Sequence, residues 1–252
     1  MTNYLRKFQE SIDKTFLRIV ETEEKSIDAA SDLLVGSIKR DELIYIIGTG
    51  GHSMIGAMEM FWRAGCLAPF QPLLEPGLMV SEGAKHSNWI ERTEGLAPSV
   101  LSSYEVPSGA TMIIVNAYGI NAFTIDMALE CKKRGIRTIG VTSTAFAEKV
   151  PKGVAARHSS GKNLHEIVDV FVNSYMPYGD AALKIDGFEH KIAPMSTFVS
   201  SFCLHCIVIR TTEKLVAAGI EPPIWISGNV PEGDKLNQKL HDRYNSRVKH
   251  LR

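Results

Sequence analysis

The turn that follows the first buried strand constrains this 252-residue chain more than any other feature. The run LIYIIG (43–48) is β-branched and does not alternate polar and apolar residues, which is typical of a strand with both faces covered. It ends in the glycine-rich turn GTGGHS (48–53), and helical spacing follows. A buried strand that turns directly into a helix predicts one layer of an α/β fold with a mostly parallel sheet.

The rest of the chain repeats this alternation. Further strands are predicted at FQPLLE (70–75), TMIIVNA (111–117), RTIGVTS (137–143) and IVDVFVNS (167–174). Helices are predicted at 2–40 (one long or two consecutive), 53–64, 96–104, 121–135, 195–218 and 232–250. Because no repeat or linker divides the chain, we expect an N-terminal helical segment, 1–40, packed on a single domain, 41–252.

Composition excludes several classes of protein. With 44% apolar and 22% charged residues the chain is typical of a soluble globular protein, and its apolar runs are too short or too interrupted for a membrane span. Twenty-eight basic residues balance 28 acidic ones without a basic block, so no nucleic-acid partner is expected. No signal peptide is evident at the N-terminus, and we expect a cytoplasmic location without a membrane partner.

The glycine-rich turn differs from the dinucleotide fingerprint G-x-G-x-x-G. Gly48 and Gly50 match, but Ser53 occupies the third position, and the acidic residue expected about 20 residues on is poorly placed, because Glu75 lies 27 residues beyond Gly48. The lysine of a P-loop is also absent. The turn therefore indicates an anion site at a helix N-terminus rather than a nucleotide site. The alternative is a tight turn with a serine cap and no ligand.

Two later strands also end in small polar residues, at NAYGIN (116–121) and TSTA (142–145). Ligands of open parallel sheets collect at the carboxyl ends of the strands. If the strands are neighbours, the hydroxyls of Thr142, Ser143 and Thr144 lie beside the glycine-rich turn. Such donors suit a phosphate group with a polyhydroxylated body beside it.

Several segments together resemble the sugar isomerase (SIS) domain family, and in particular bacterial SIS proteins similar to phosphoheptose isomerases. Besides GTGGHS, they are FWRAG (61–65), PGLMVSEGA (76–84), MALECKKRGIRTIGVTS (127–143), RHSSGKNLHEIVD (157–169), PYGDA (177–181) and GIEPPIWISGNVPEGD (219–234). The resemblance implies a flavodoxin-like, doubly wound, five-stranded parallel sheet with flanking N- and C-terminal helices. It also implies a homodimer or homotetramer that binds a phosphosugar near subunit boundaries.

The resemblance also implies which residues bind the phosphosugar. They are Gly50, Gly51, His52 and Ser53 in the first turn, Asn116, Tyr118, Gly119 and Asn121 in the second loop, and Thr142, Ser143 and Thr144 in the third. One departure matters, because the family's second loop usually reads Ser-x-Ser-Gly-x-Ser/Thr. Here two hydroxyls are replaced by an amide and a phenol, so this loop either no longer binds phosphate or shapes the pocket for a different ligand.

Aldose–ketose isomerisation through an enediol needs a base and an acid, commonly a carboxylate and a histidine. Glu59 is one candidate, with an ion pair to Arg63 at i+4 as its alternative role. Glu82 and His86, four residues apart in a long loop, are an acid–base pair or simply exposed. His205 is the remaining candidate; the alternative is a core or interface histidine.

His158 and Ser159, in RHSSGK, are candidates for phosphate contacts, with a solvated loop as the simpler account. No histidine pair has metal-ligand spacing, so neither a metal nor another cofactor is expected. The leading hypothesis is an aldose–ketose sugar-phosphate isomerase. The alternatives are a non-catalytic phosphosugar sensor and a lyase that acts on an ether-linked sugar acid phosphate.

Overall fold

The computed structural model describes residues 3–252. Its α-helices are α1 (Tyr4–Thr22), α2 (Glu24–Lys39), α3 (Met54–Met60), α4 (Ala84–Glu91), α5 (Ala97–Ser103), α6 (Ala122–Lys133), α7 (Thr144–Lys149), α8 (Leu164–Ile167), α9 (Ser196–Ala217) and α10 (Gly233–Tyr244). Its strands are β1 (Ile44–Gly48), β2 (Phe70–Pro72), β3 (Thr111–Val115), β4 (Arg137–Thr142), β5 (Val170–Asn173), β6 (Ala181–Lys184) and β7 (Lys191–Pro194). In this part of the chain, no helix is both long and apolar enough to cross a membrane.

The first five strands form one parallel sheet in the order β2-β1-β3-β4-β5. Every residue of β1 and of β3 is buried, which agrees with their β-branched, unalternating sequences. The chain leaves β1 for β2 on one side and then returns to β3 on the other, so strand order reverses between β1 and β3. The predicted five-stranded, flavodoxin-like sheet is confirmed. The point at which its strand order reverses lies beside the glycine-rich turn that follows β1.

Helices cover the sheet as two groups. α2 and α3 pack against α9, while α5 and α8 pack against α6, and both groups contact the sheet. The rings of Phe16 in α1 and Phe202 in α9 stack with their centroids 4.1 Å apart, which attaches α1 to the first group. One buried apolar cluster extends through the sheet and both groups of helices. This frame holds the ends of the strands in fixed positions.

Several details differ from the sequence prediction; for example, β2 ends at Pro72 rather than residue 75, and β5 begins at Val170 rather than residue 167. Helix α3 ends at Met60 rather than near residue 64, because Phe61 is extended and Trp62 has a φ of 53°. Helix α10 ends at Tyr244 instead of residue 250. The antiparallel pair β6 and β7 was not predicted, since only one of its eight residues is buried and the pair lacks the apolar pattern of a buried strand.

Candidate functional site

The glycine-rich turn places the start of α3 directly against the end of β1. A Cβ on Gly48 would lie 2.1 Å from the carbonyl oxygen of Ser53, so no larger residue fits there. The Ser53 hydroxyl oxygen accepts a hydrogen bond from the backbone N–H of Ala117, at 3.3 Å. That contact ties the first turn to the loop after β3. It leaves the hydroxyl proton of Ser53 available to an acceptor.

The loop after β3 is held by the side chain of Asn116, which is 1% exposed. Its Nδ2 donates to the carbonyl of Thr49 at 3.1 Å. Its Oδ1 accepts from the backbone N–H groups of Tyr118, at 3.0 Å, and Gly119, at 2.7 Å. Two backbone donors that could otherwise face an anion therefore bond to Asn116. The Asn116 side chain shapes this loop as an Asx turn.

A cavity of about 600 Å³ lies between these two loops. Seven of its lining residues are among the candidate phosphosugar contacts: Gly50, Gly51, His52, Ser53, Asn116, Tyr118 and Asn121. The sequence did not single out most of its other polar lining residues, which are Ser87, Asn88, Glu91, Arg92, Asp180, Ser196 and Thr197. The cavity is thus the meeting point of the strand ends β1 and β3 with the helices α4 and α9.

Glu91, the last residue of α4, brings a carboxylate to the glycine-rich turn. A Cβ on Gly50 would lie 2.8 Å from the Glu91 Oε2, so only glycine admits the carboxylate this closely. Burial raises the pKa of the Glu91 carboxyl, and a hydrogen bond from the Gly51 backbone N–H and the charge of Arg92 offset the rise only partly. A largely buried carboxyl with a raised pKa, lining a cavity, is typical of a proton-transfer group.

Asn121 presents an unusual acceptor among the residues that line this cavity. Its side chain is 2% exposed, and its Nδ2 donates to the carbonyl of Ala156 at 3.1 Å. Its Oδ1 is buried and has no hydrogen-bond partner among residues 3–252. Leaving a buried acceptor unpaired is costly, so this oxygen is suited to a donor on a bound molecule, such as a sugar hydroxyl.

Asp180 positions the N-terminus of α9 at the cavity wall. Its Oδ1 accepts from the backbone N–H groups of Met195, at 2.9 Å, and Ser196, at 2.7 Å. Its Oδ2 accepts from the Ser196 hydroxyl at 2.8 Å. The carboxylate thus caps a long helix from the adjoining loop. Both carboxylate oxygens of Asp180 accept hydrogen bonds from protein groups. We therefore assign Asp180 a structural role at this wall of the cavity.

Replacing Asp180 with alanine is expected to lower the free energy of unfolding by about 1–2 kcal/mol, because it leaves the first N–H groups of α9 unpaired. Urea denaturation followed by circular dichroism measures the loss. The matched control is Asp186→Ala, because Asp186 is exposed in the turn between β6 and β7, and its carboxylate makes no hydrogen bond within the described chain. Equal losses in the two variants would contradict the capping role.

The acid–base candidates from the sequence lie outside this cavity. The carboxylate of Glu59 contacts Arg63 Nε at 3.2 Å and His205 Nε2 at 3.1 Å. The structure therefore brings two of the candidates together, but in an ion-paired cluster between α3 and α9. Glu82 and His86 are exposed, the first in a 3₁₀ turn (Val80–Glu82) and the second in α4.

His158 and Ser159 are also engaged elsewhere. His158 is 8% exposed, with Nε2 at 3.0 Å from Asp126 Oδ1 and Nδ1 at 2.8 Å from the Ser160 hydroxyl. Ser159 donates its backbone N–H and its hydroxyl to the Glu94 carboxylate, at 2.7 and 2.9 Å. These contacts close a surface loop, and neither residue lines the cavity.

The third group of predicted phosphate ligands is separated from the first turn, because β3 lies between β1 and β4. The condition that these strands be neighbours is therefore not met. Thr142 is fully buried, and the Ser143 hydroxyl donates to the carbonyl of Met176 at 2.8 Å. Ser143 and Thr144 instead line a different cavity, on the far side of α7.

Comparison with known proteins agrees with this architecture. The family model described as the SIS domain matches residues 7–143, more than half of the chain. The chain belongs to the SIS domain family. It is 34% identical to a UPF0309 protein of Shouchella clausii over 99% of this chain and 100% of that protein. A UPF0309 protein of Thermoanaerobacter pseudethanolicus is also 34% identical, over 98% and 100% of the two chains.

Solved structures of other SIS-fold proteins share the fold at low sequence identity. A phosphoheptose isomerase from Francisella tularensis has a TM-score of 0.54 and 13% identity, covering 84% of this chain and 100% of its own. The phosphoheptose isomerase of Neisseria gonorrhoeae has a TM-score of 0.52 and 10% identity, covering 84% and 97%. At these identities the comparison establishes the fold alone.

Proposed function

We propose that this protein binds a phosphorylated sugar between the loops after β1 and β3 and interconverts its aldose and ketose forms through an enediol. The position of Glu91 carries this proposal, because it places a largely buried carboxyl with a raised pKa against the glycine-rich turn. Membership of the SIS family supports the substrate class. The cavity volume of about 600 Å³ lies within the range of small-molecule sites.

In the proposed reaction Glu91 is the base. Its ionised carboxylate takes the proton from the carbon next to the substrate carbonyl, the electron pair of that C–H bond forms the carbon–carbon double bond, and the carbonyl oxygen receives a proton through His52 to complete the enediol. The resulting acid returns a proton to the neighbouring carbon, so the carboxylate is regenerated. Burial brings the pKa of Glu91 nearer to neutrality, which strengthens the base relative to an ordinary carboxylate.

Three other groups complete the proposed site. His52 lines the same cavity and supplies an imidazole that exchanges protons between the two substrate oxygens. Arg92, also at the cavity, supplies a cation for the phosphate. The free acceptor Oδ1 of Asn121 binds a sugar hydroxyl. Together with Glu91, the base, they provide one proton shuttle, one cation and one orienting acceptor.

The test is deuterium incorporation. The protein is incubated in D₂O with a panel of aldose and ketose phosphates of different chain lengths, and NMR detects deuterium at the carbon next to the carbonyl. We expect exchange, with formation of the isomer, for at least one member of the panel. Binding of a phosphosugar without exchange or isomerisation would contradict the isomerase, and binding of none would contradict the substrate class as well.

A second candidate function is a phosphosugar sensor without chemistry. It is favoured by the loop after β3, where Asn116 Oδ1 already accepts the N–H groups of Tyr118 and Gly119. Fewer free donors remain there for phosphate. In the same experiment a sensor gives saturable binding with no exchange. The lyase alternative would instead release a hydroxy acid from an ether-linked substrate.

The homodimer or homotetramer expected from the family resemblance stays a prediction.

A further inference from the structure

A second cavity, of about 840 Å³, opens at the carboxyl ends of β4 and β5. We call it the basic cavity. Its lining residues are Arg18, Ser143, Thr144, Ala145, Glu148, Lys149, Asn173, Tyr175, Met176, Pro177, Tyr178 and Lys191. They come from α1, α7, the segment after β5 and the start of β7. The proposed isomerisation uses none of these residues.

The charges of the basic cavity are unbalanced. Arg18, Lys149 and Lys191 line it from three different elements, and Glu148 is the one carboxylate among the lining residues. None of these three cations makes a salt bridge within 4.0 Å to a carboxylate of residues 3–252. By contrast, Lys214 and Arg243 elsewhere on the surface are paired with aspartates. Cations that converge without partners produce a positive potential that attracts an anion.

One wall of the basic cavity is fixed before any ligand binds. The guanidinium of Arg18 lies over the ring of Tyr175, with its Cζ 3.8 Å from the ring centroid. The Tyr175 hydroxyl donates to Glu23 Oε1 at 2.6 Å, and its backbone N–H donates to Asn173 Oδ1 at 3.0 Å. Tyr175 also has a φ of 51°, an uncommon conformation that these contacts maintain. The cation and the ring are therefore preorganised.

Helix α7 separates the basic cavity from the cavity that contains Glu91. Phe146 and Val150 face the Glu91 cavity, whereas Thr144, Glu148 and Lys149 face the basic cavity. The Phe146 ring lies 4.3 Å from that of Tyr118 and 4.9 Å from that of Tyr178, measured between centroids. These rings fill the space between the two cavities. A molecule in one cavity thus does not occupy the other.

We propose that the basic cavity is a second binding site, for a small ligand that carries a phosphate group. Lys149, Lys191 and Arg18 neutralise the phosphate charge, and the Thr144 hydroxyl donates to one of its oxygens. The aromatic faces of Tyr175 and Tyr178 contact the rest of the ligand. Two sources share this chemistry, inorganic phosphate and a phosphate monoester, and the two probes of the test distinguish them.

Isothermal titration calorimetry with inorganic phosphate and with glycerol 2-phosphate, at constant ionic strength, tests this site. The double variant Lys149→Gln/Lys191→Gln is expected to bind the effective probe roughly tenfold more weakly or worse than the wild type. The single variant Thr144→Val is expected to weaken it less. The control Lys25→Gln/Lys132→Gln also removes two exposed lysines, neither of which forms an ion pair within residues 3–252, and we expect wild-type affinity.

A further variant, Arg92→Gln, separates the basic cavity from the Glu91 cavity. Binding that survives Arg92→Gln and fails in Lys149→Gln/Lys191→Gln supports the second site. The probe with the higher affinity then shows whether the ligand is inorganic phosphate or a phosphate monoester. The proposal is overturned if neither probe binds the wild type. It is also overturned if the double variant binds as the wild type does, or if the control pair loses as much affinity.

Discussion

Replacing Glu91 with glutamine is expected to slow deuterium exchange into a phosphosugar by about 10²- to 10⁴-fold, the usual contribution of a general base. Glutamine keeps the shape of the side chain and can accept the Gly51 N–H, but it cannot take a proton from carbon. Binding of the sugar is expected to stay within a fewfold of the wild type. Exchange followed by NMR and affinity measured by calorimetry separate the two effects.

Glu82→Gln and Glu59→Gln are the matched controls for this substitution. Both were base candidates from the sequence, yet Glu82 is exposed and Glu59 is paired with Arg63 and His205 outside the cavity. We expect both variants to exchange deuterium at nearly the wild-type rate. If Glu59→Gln or Glu82→Gln abolishes exchange while Glu91→Gln retains it, the base has been assigned to the wrong residue.

The pH dependence of deuterium exchange and of stability gives a second test of the role of Glu91. Because burial raises its pKa, the carboxylate form costs free energy in the folded state relative to the unfolded state. That cost is absent below the ordinary carboxyl pKa, grows as pH rises, and is complete above the raised pKa. We therefore expect exchange to switch on at a higher pH than for an ordinary carboxylate. We also expect Glu91→Gln to melt no lower than the wild type at pH 7.

The residue pattern alone predicts the strands of the sheet but not their order, which only the family resemblance implies. The runs of β1, β3 and β4 are apolar and β-branched because both of their faces are covered, and that signal is local. The order of the strands depends on how the helices pack. The sequence of a single strand does not determine its neighbours in the sheet. For this reason the sequence places Thr142, Ser143 and Thr144 beside the glycine-rich turn only if β1 and β4 are neighbours, and β3 separates the two strands.

Glu91 shows why the candidate base was missed. In the sequence it is one of several charged residues in a polar stretch between residues 76 and 95. Its burial arises from Gly50 and Gly51, about 40 positions away, which allow its carboxylate to approach the turn. A usable signal was the i, i+4 spacing of Ser87 and Glu91, which places both on one face of α4. The sequence predicts a functional long loop, but within that loop its pattern favours the pair Glu82 and His86, which the structure shows to be exposed.

Asn116→Ala is expected to lower the free energy of unfolding by about 3 kcal/mol, because it removes the acceptor of two backbone N–H groups and one of the two donors to a buried backbone carbonyl. Those groups are the N–H of Tyr118, the N–H of Gly119 and the carbonyl of Thr49. Urea denaturation measures the loss. Asn88→Ala is the control, since Asn88 lines the same cavity but is exposed, and we expect a change within about 0.5 kcal/mol.

Asn116→Ser tests whether the amide was needed for the loop itself, because serine is the residue that SIS proteins usually carry at this place. A serine hydroxyl can accept one N–H of the following turn, although more weakly than an Asn side chain, and it cannot also reach the Thr49 carbonyl. We therefore expect a loss between those of Asn88→Ala and Asn116→Ala. If serine costs as much as alanine, the loop depends on the bridge from Nδ2 to Thr49. If alanine itself costs no more than Asn88→Ala, the Asx turn does not hold the loop, and its N–H groups are free to bind phosphate.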